Sequence, residues 1–253
     1  MRKSKTLHAI RNGKPVKSCV LGHYIPAFVF HAAQAGYDCI WLDLEHRSMT
    51  RREVEYLLLA SHHCDIDIML RPPTLEKSRL YRYLEDGAAG LMIPHVSTPE
   101  MAERLVQSVK FPPIGDRGID NAGLDADYHV HDPDTYTAWA NRETFLCVQI
   151  ETPEAVQRID EIASVKGVDI IFVGPGDLGL RLRQTKEMTI DEAWEKVAES
   201  CKRHQVAFGG PTLGLDEMMK RREQGAQLLV HSSEFQAFTA ALAENAKDFR
   251  KLT

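Results

Sequence analysis

Short apolar runs separated by longer amphipathic stretches recur along the whole chain. The runs are KSCVLG (17–22), CIWLDLE (39–45), DIMLR (67–71), AGLMIP (89–94), FLCVQIE (145–151), VDIIFVG (168–174), VAFGG (206–210) and QLLVHSS (227–233). They are β-branched or continuously apolar, as strands covered on both faces are. Between them the spacing turns helical. Thr98-Pro99-Glu100 opens MAERLVQSVK, and Thr152-Pro153-Glu154 opens AVQRIDEIASVKG. Each start supplies an N-cap oxygen, a proline at the first helical position and an acid in the first turn. Gly36, Gly87, Gly167 and Gly225 stand between a helix and the following strand, where C-cap glycines belong. Alternation of this kind predicts a parallel (β/α)8 barrel, with an open doubly wound sheet as the second solution.

No Pro/Gly-rich hinge divides the chain, so residues 1–253 are expected to form a single barrel domain. One interval stands apart. Residues 111–144, between the fourth and fifth strands, are rich in Gly, Asp, Pro and Asn, and predict a lid or an assembly arm.

Composition narrows the function classes. Net charge is −5 with both signs interspersed, and no basic stripe suggests nucleic acid. The five cysteines (Cys19, Cys39, Cys64, Cys147, Cys201) are dispersed and form no CxxC pair, the usage of a reduced, cytoplasmic protein. The basic N-terminus lacks the apolar segment of a signal peptide, and no apolar run approaches the ~20 residues of a membrane span.

In a (β/α)8 barrel the chemistry belongs at the C-terminal ends of the strands. Those ends carry Asp43, Glu45 and His46; Arg71; Pro94 and His95; Gln149 and Glu151; Gly174 to Asp177; Gly209, Gly210 and Ser232. Alternation along a strand turns Leu42 and Leu44 towards the helices and Asp43 and Glu45 into the mouth, and it does the same for Val148 and Ile150 against Gln149 and Glu151. Glu151 and Asp177, on adjacent strands, form a hard-oxygen pair suited to Mg2+ or Mn2+ with positions left for water and substrate. The glycines of VGPGDLG allow close backbone approach to a carboxylate or phosphate. No lysine ends a strand, which argues against Schiff-base chemistry.

The ordered series DLEH, RPP, GAAGLMIPHV, RG, QIETPEAV, GVDIIFVGPGDLG, VAFGG and QLLVHSS resembles the class II pyruvate-dependent aldolases of the HpcH/HpaI family over residues 15 to 245. The resemblance implies a phosphoenolpyruvate/pyruvate-type TIM barrel whose C-terminal helix is exchanged between subunits of a trimer or hexamer. It implies cleavage of a 4-hydroxy-2-oxo acid, a 2-keto-3-deoxy sugar acid or a hydroxy-oxo diacid, to pyruvate and an aldehyde. Glu151 and Asp177 would hold a divalent metal (Mg2+, Mn2+ or Co2+), with no organic cofactor. Arg71 would lie over the keto oxygen, oriented by Asp43 and Gln149; the Gly176–Asp177 backbone would hold the substrate carboxylate, and Gly174 and Pro175 would line the substrate beside it. His46 would be the acid/base, paired with an acid from the neighbouring subunit. By alignment of LEDGAAG that acid is Glu85, with Asp86 beside it as the substitute. Arg47 departs from the family's small residue after DxEH, at the aldehyde side of the site. A different metal-dependent enolate enzyme on a related barrel, such as a phosphoenolpyruvate mutase-like lyase or a decarboxylase, is the competing reading.

Overall fold

Each of the eight apolar runs becomes a strand. The structure, a computed structural model, describes residues 1–252. After α1 (Lys5–Arg11) come β1 (Val16–Leu21), α2 (Pro26–Gln34), β2 (Cys39–Asp43), α3 (Arg51–His63), β3 (Asp67–Arg71), α4 (Lys77–Glu85), β4 (Gly90–Ile93) and α5 (Pro99–Val109). They are followed by α6 (Pro133–Glu143), β5 (Phe145–Ile150), α7 (Pro153–Gln157), α8 (Ile159–Ala163), β6 (Ile170–Val173) and α9 (Pro175–Thr185). The chain finishes with α10 (Ile190–His204), β7 (Ala207–Pro211), α11 (Leu215–Glu223), β8 (Leu228–Ser233) and α12 (Glu234–Phe249). All neighbouring strands pair in parallel, and β8 pairs with β1, so the sheet closes into the (β/α)8 barrel rather than staying open.

The strand period explains the core. Ile40, Leu42, Leu70, Val148, Ile150 and Ile171 face outwards and pack with Val54, Leu57 and Trp194 of the helices. Cys39, Met69, Met92, Cys147, Phe172 and Leu228 face inwards and fill the barrel, with Leu7 and Ala9 of α1 packed into the same cluster. Gly90 shows how tight this interior is: an added Cβ would lie 2.4 Å from the Phe145 ring. All five cysteines are free.

The expected punctuation is in place. Thr98 and Thr152 accept from the backbone N–H groups of Met101 and Ala155, and Pro99 and Pro153 open their helices. The four C-cap glycines take φ values of +83°, +110°, +101° and +97°. Three sequence expectations change. The single helix expected after Pro153 breaks at Arg158 into α7 and α8. The glycine turn after β6 is the first turn of α9. Residues 111–144 are not a loop after β4. They follow α5, contain α6, and re-enter at the start of β5, so they lie at the face where strands begin, opposite the mouth. Tyr136 and Ala140 of α6 are buried with Phe111 there.

The last helix, α12, stands apart from the barrel. Only Glu234 is buried, while Phe235, Phe238, Leu242 and Phe249 are exposed. A groove of about 340 Å³ beside β1 and β8, lined by Val16, Tyr37, Met218 and Leu229 among others, occupies the flank where an eighth outer helix would pack. No described helix is long and apolar enough to cross a membrane.

Candidate active site

The opening of the site is built by DLEH. At the end of β2 the Asp43 carboxylate accepts from the N–H groups of Glu45 (3.0 Å) and His46 (3.4 Å), which fixes the turn beyond the strand. Asp43 is the register partner of Arg71 on β3, and the two meet in a fork: Nε to Oδ1 at 3.0 Å and Nη2 to Oδ2 at 2.9 Å. Burial alone would push the Asp43 carboxyl up, but the Arg71 hydrogen bonds and charge, with the two N–H groups, hold it below the ordinary carboxylate range. The remaining Nη1 of Arg71 lies 2.9 Å from Glu45 Oε2 and 3.5 Å from Gln149 Oε1. Beneath the guanidinium lies the Trp41 ring, 4.7 Å away. A guanidinium held on three edges and one face has one orientation.

The opposite wall comes from β4, β5 and α9. Gln149 gives its carbonyl to Arg71 and donates from Nε2 to Glu151 Oε1 at 3.1 Å. His95, held in the left-handed region at φ +56°, donates its N–H to Glu151 Oε2 at 3.1 Å. Its Nδ1 lies 3.2 Å from the same oxygen, and its Nε2 lies 3.4 Å from Glu45 Oε1, so the ring bridges the two walls. Gly174 precedes α9 directly against Glu151, and a Cβ there would fall 2.4 Å from Glu151 Oε1. Asp177, in the first turn of α9, meets Arg181 Nη1 at 3.0 Å, and the same nitrogen reaches the Glu151 carbonyl at 3.1 Å. The Gly176 and Asp177 N–H groups stand in this first turn, where helical amides have no partner within the helix and the dipole favours an anion.

Glu151 and Asp177 fit a divalent cation. Burial pushes the Glu151 carboxyl up and the neighbouring Asp177 charge adds to this, against the His95 N–H and the Arg71 charge. A buried carboxylate raised in this way beside a second carboxylate is relieved by a shared cation. With no cluster of three ligating side chains among the described residues, such an ion would keep coordination positions for substrate and water.

Asp43, Arg71, Gln149, Glu151, Gly174, Pro175, Gly176 and Asp177 are thus brought to one mouth. His46 is at the rim, 57% exposed, with Nε2 3.6 Å from Glu45 Oε2. Glu85 is elsewhere: it ends α4 at the face where β4 begins, is 5% exposed, and lies beside Arg117 and Asp125. Within one chain it does not meet His46. Asp86 turns to Arg82 (3.3 Å) and Arg51 (3.7 Å). Glu45, His95 and Arg181 were not assigned roles from the sequence. Glu45 carries the inward-facing signal of β2, and Arg181 stands four residues from Asp177 on one helix face, whereas nothing in MIPHV marks His95 as a bridge.

Burial pushes the Glu85 carboxyl up to about 7, against the Arg117 charge, from an ordinary value of 4.5. A group raised in the folded state contributes stability that is full below about 4.5 and is lost as pH rises through 7. Glu85→Gln is therefore expected to raise the thermal midpoint above wild type at pH 8 and leave it level near pH 4. A gap independent of pH would mean that Glu85 ionises as easily folded as unfolded.

With this geometry in view, the relatives are informative. Residues 22–241 match the family model of HpcH/HpaI aldolase/citrate lyase. The chain is 37% identical to the hydroxypyruvate/pyruvate aldolase of Deinococcus radiodurans over 85% of this chain and 77% of that protein. It is 29% identical to the 2-keto-3-deoxy-L-rhamnonate aldolase of Klebsiella pneumoniae over 87% and 83%. The crystal structure of an HpcH/HpaI aldolase from Desulfitobacterium hafniense superimposes with a TM-score of 0.90 at 31% identity, covering 97% of this chain and 96% of the other. The chain belongs to the HpcH/HpaI aldolase/citrate lyase family.

Proposed function

We propose that this chain, a carbon–carbon lyase by family, catalyses the reversible cleavage of a 4-hydroxy-2-oxo acid to pyruvate (or hydroxypyruvate) and an aldehyde. The observation that carries the reading is the Arg71 fork, fixed by Asp43 and Gln149 at the same mouth as the Glu151–Asp177 pair and the α9 N-terminus. The names of the relatives agree with it. Glu151 and Asp177 would hold a divalent cation (Mg2+, Mn2+ or Co2+), which would supply positive charge against the enolate. The substrate carboxylate takes the Gly176 and Asp177 N–H groups, and Gly174 and Pro175 shape their approach. Arg71 stabilises negative charge on the keto oxygen. In cleavage His46 accepts the proton of the 4-hydroxyl, the C3–C4 electron pair moves into the enolate, the aldehyde leaves, and C3 is reprotonated.

The reading includes a homo-oligomer, a trimer or a hexamer. The unpacked apolar stripe of α12 and the groove beside β1 and β8 support exchange of this helix between subunits. A neighbouring subunit would then bring Glu85, or Asp86, to His46, with residues 111–144 as part of that contact. Light scattering of the purified protein tests the assembly; a monomer at micromolar concentration refutes it.

The deciding experiment is pyruvate release from a panel of 4-hydroxy-2-oxo acids, coupled to NADH oxidation, after chelation and again after Mg2+, Mn2+ or Co2+ is restored. Metal-restored release is expected. Silence across the panel, with the metal still bound, would overturn the reading.

His95 gives a narrower prediction. Without the ring, Glu151 keeps the backbone N–H but loses its bridge to Glu45. His95→Asn, which tolerates the left-handed backbone, is expected to weaken Mn2+ binding about tenfold by calorimetry. Unchanged affinity would show that the ring does not hold Glu151.

A further inference from the structure

We propose that Arg181 is a positioning residue for the metal site, one guanidinium nitrogen that spans the two ligand residues and fixes Asp177 relative to Glu151. The inference rests on the reading of Glu151 and Asp177 as the cation's ligands and adds the group that aligns them.

The two carboxylates are not held equally. Glu151 is 4% exposed, and Gln149 Nε2, the His95 N–H and the His95 ring all meet its carboxylate. Asp177 stands in the first turn of α9 with its side chain 43% exposed. Among the described residues its carboxylate has one hydrogen-bonding partner, Arg181. An exposed aspartate without that partner turns among its rotamers, so a cation would first have to order it. The two residues lie four positions apart on α9, which brings their side chains onto one helix face. Arg181 Nη1 donates to Asp177 Oδ1 at 3.0 Å, and Oδ2 is left without a partner.

An exposed pair of this kind contributes little by itself, because water screens it and both side chains lose freedom. What sets Arg181 apart is its second acceptor. The same Nη1 donates to the main-chain carbonyl of Glu151 at 3.1 Å. That carbonyl lies one residue past the end of β5, and among the described residues no other donor meets it. The backbone connection between β5 and the start of α9 stops one residue earlier, where the Gly174 N–H donates to the Ile150 carbonyl. Arg181 extends it by one bond, made to the backbone of a ligand residue. A nitrogen in contact with both ligand residues leaves their separation little freedom, and hydrogen bonds of this kind orient ligating carboxylates. Its charge acts in the opposite sense, repelling an incoming cation. The guanidinium is 37% exposed, so water and salt screen that repulsion. The sign of the change in affinity when Arg181 is removed decides between alignment and repulsion.

The test is calorimetric titration of Mn2+ into the chelated protein. Arg181→Met, similar in length but without donors, is expected to weaken Mn2+ binding about 10- to 100-fold. Arg181→Lys keeps the charge and a donor without the planar fork, and should recover part of the loss. The Mn2+ concentration that gives half-maximal pyruvate release should rise by the same factor as Kd. The metal-free thermal midpoint of Arg181→Met should stay within about 2 °C of wild type, since an exposed pair adds little to folding. Unchanged or tighter Mn2+ binding in Arg181→Met would overturn the inference and leave the aldolase reading standing. So would weaker binding accompanied by a metal-free midpoint lowered by about 5 °C or more, the sign of a generally loosened fold. No Mn2+ binding by the wild type, or binding that Asp177→Asn leaves unchanged, would overturn the metal pair and the inference together.

Discussion

Arg71→Ala is expected to lower kcat/KM for cleavage by about 10³-fold, while Mn2+ still binds. One preorganised donor at a developing oxyanion contributes about 10²–10³ in rate, and in the proposed mechanism Arg71 is that donor and carries a full charge as well. The substitution also strips the Asp43 carboxylate of its bidentate partner and the Glu45 carboxylate of its closest one. Asp43 keeps two backbone N–H groups, so it stays solvated in part, and a stability loss of about 3 kcal/mol is expected from the broken buried pair. The pH dependence changes with it. In the wild type the depressed Asp43 carboxyl contributes stability that is present above its unfolded value and lost as pH falls through its folded value. Without Arg71 burial dominates, and the part of the acid unfolding that comes from Asp43 below its ordinary value of 3.8 is lost. Arg71→Lys keeps the charge but cannot fork onto Asp43 while also reaching the keto oxygen, so it is expected to recover little. Pyruvate release, thermal midpoints and a Mn2+ titration read the three effects separately. Near-normal turnover in Arg71→Ala would remove Arg71 from the mechanism.

The legible part of this fold was the part governed by periodicity. A strand buried on both faces must be apolar throughout, and a helix start needs a cap oxygen, so CIWLDLE and Thr152-Pro153-Glu154 announce themselves. Closure was not legible, because the β1–β8 pairing that distinguishes a barrel from an open sheet involves segments far apart in the chain. The path of residues 111–144 was not legible for a related reason. Gly and Asp density marks an irregular path, but which face of the barrel the path lies on depends on α5 having already carried the chain back. The site shows the same division. Asp43, Arg71, Gln149 and Glu151 are visible because a polar residue at the inward position of an apolar strand calls for an explanation. His95 was not, since its role follows from a left-handed backbone that turns both its N–H and its ring onto Glu151. Glu85 lies beyond what one chain can display: the resemblance pairs it with the His46 of a neighbouring subunit, and within one chain it is buried at the opposite face.

The steric fit at Gly174 allows the proposed metal pair, Glu151 and Asp177, to be disturbed without substituting either carboxylate. Its φ of −95° and ψ of 86° are open to any residue, so Gly174→Ala introduces no backbone strain. The new methyl instead meets Glu151 Oε1 at 2.4 Å and Cγ at 2.5 Å. Glu151 is 4% exposed and held by Gln149 and His95, so it cannot step aside without breaking those bonds. The carboxylate turns away from Asp177, and Mn2+ affinity is expected to fall about 100-fold, at the upper end of what displaced ligand supports cost. Activity falls with it wherever the metal is subsaturating. The overpacking itself costs about 1–3 kcal/mol, a shift of several degrees in thermal midpoint that leaves the barrel folded. Gly176→Ala is the contrast. Nothing lies within 4 Å of its added Cβ, so metal affinity should hold, and any loss should fall on KM, where the methyl meets the incoming keto acid. If Gly174→Ala binds Mn2+ as the wild type does, either Glu151 is not a ligand or its carboxylate has freedom that its three hydrogen-bonded contacts deny.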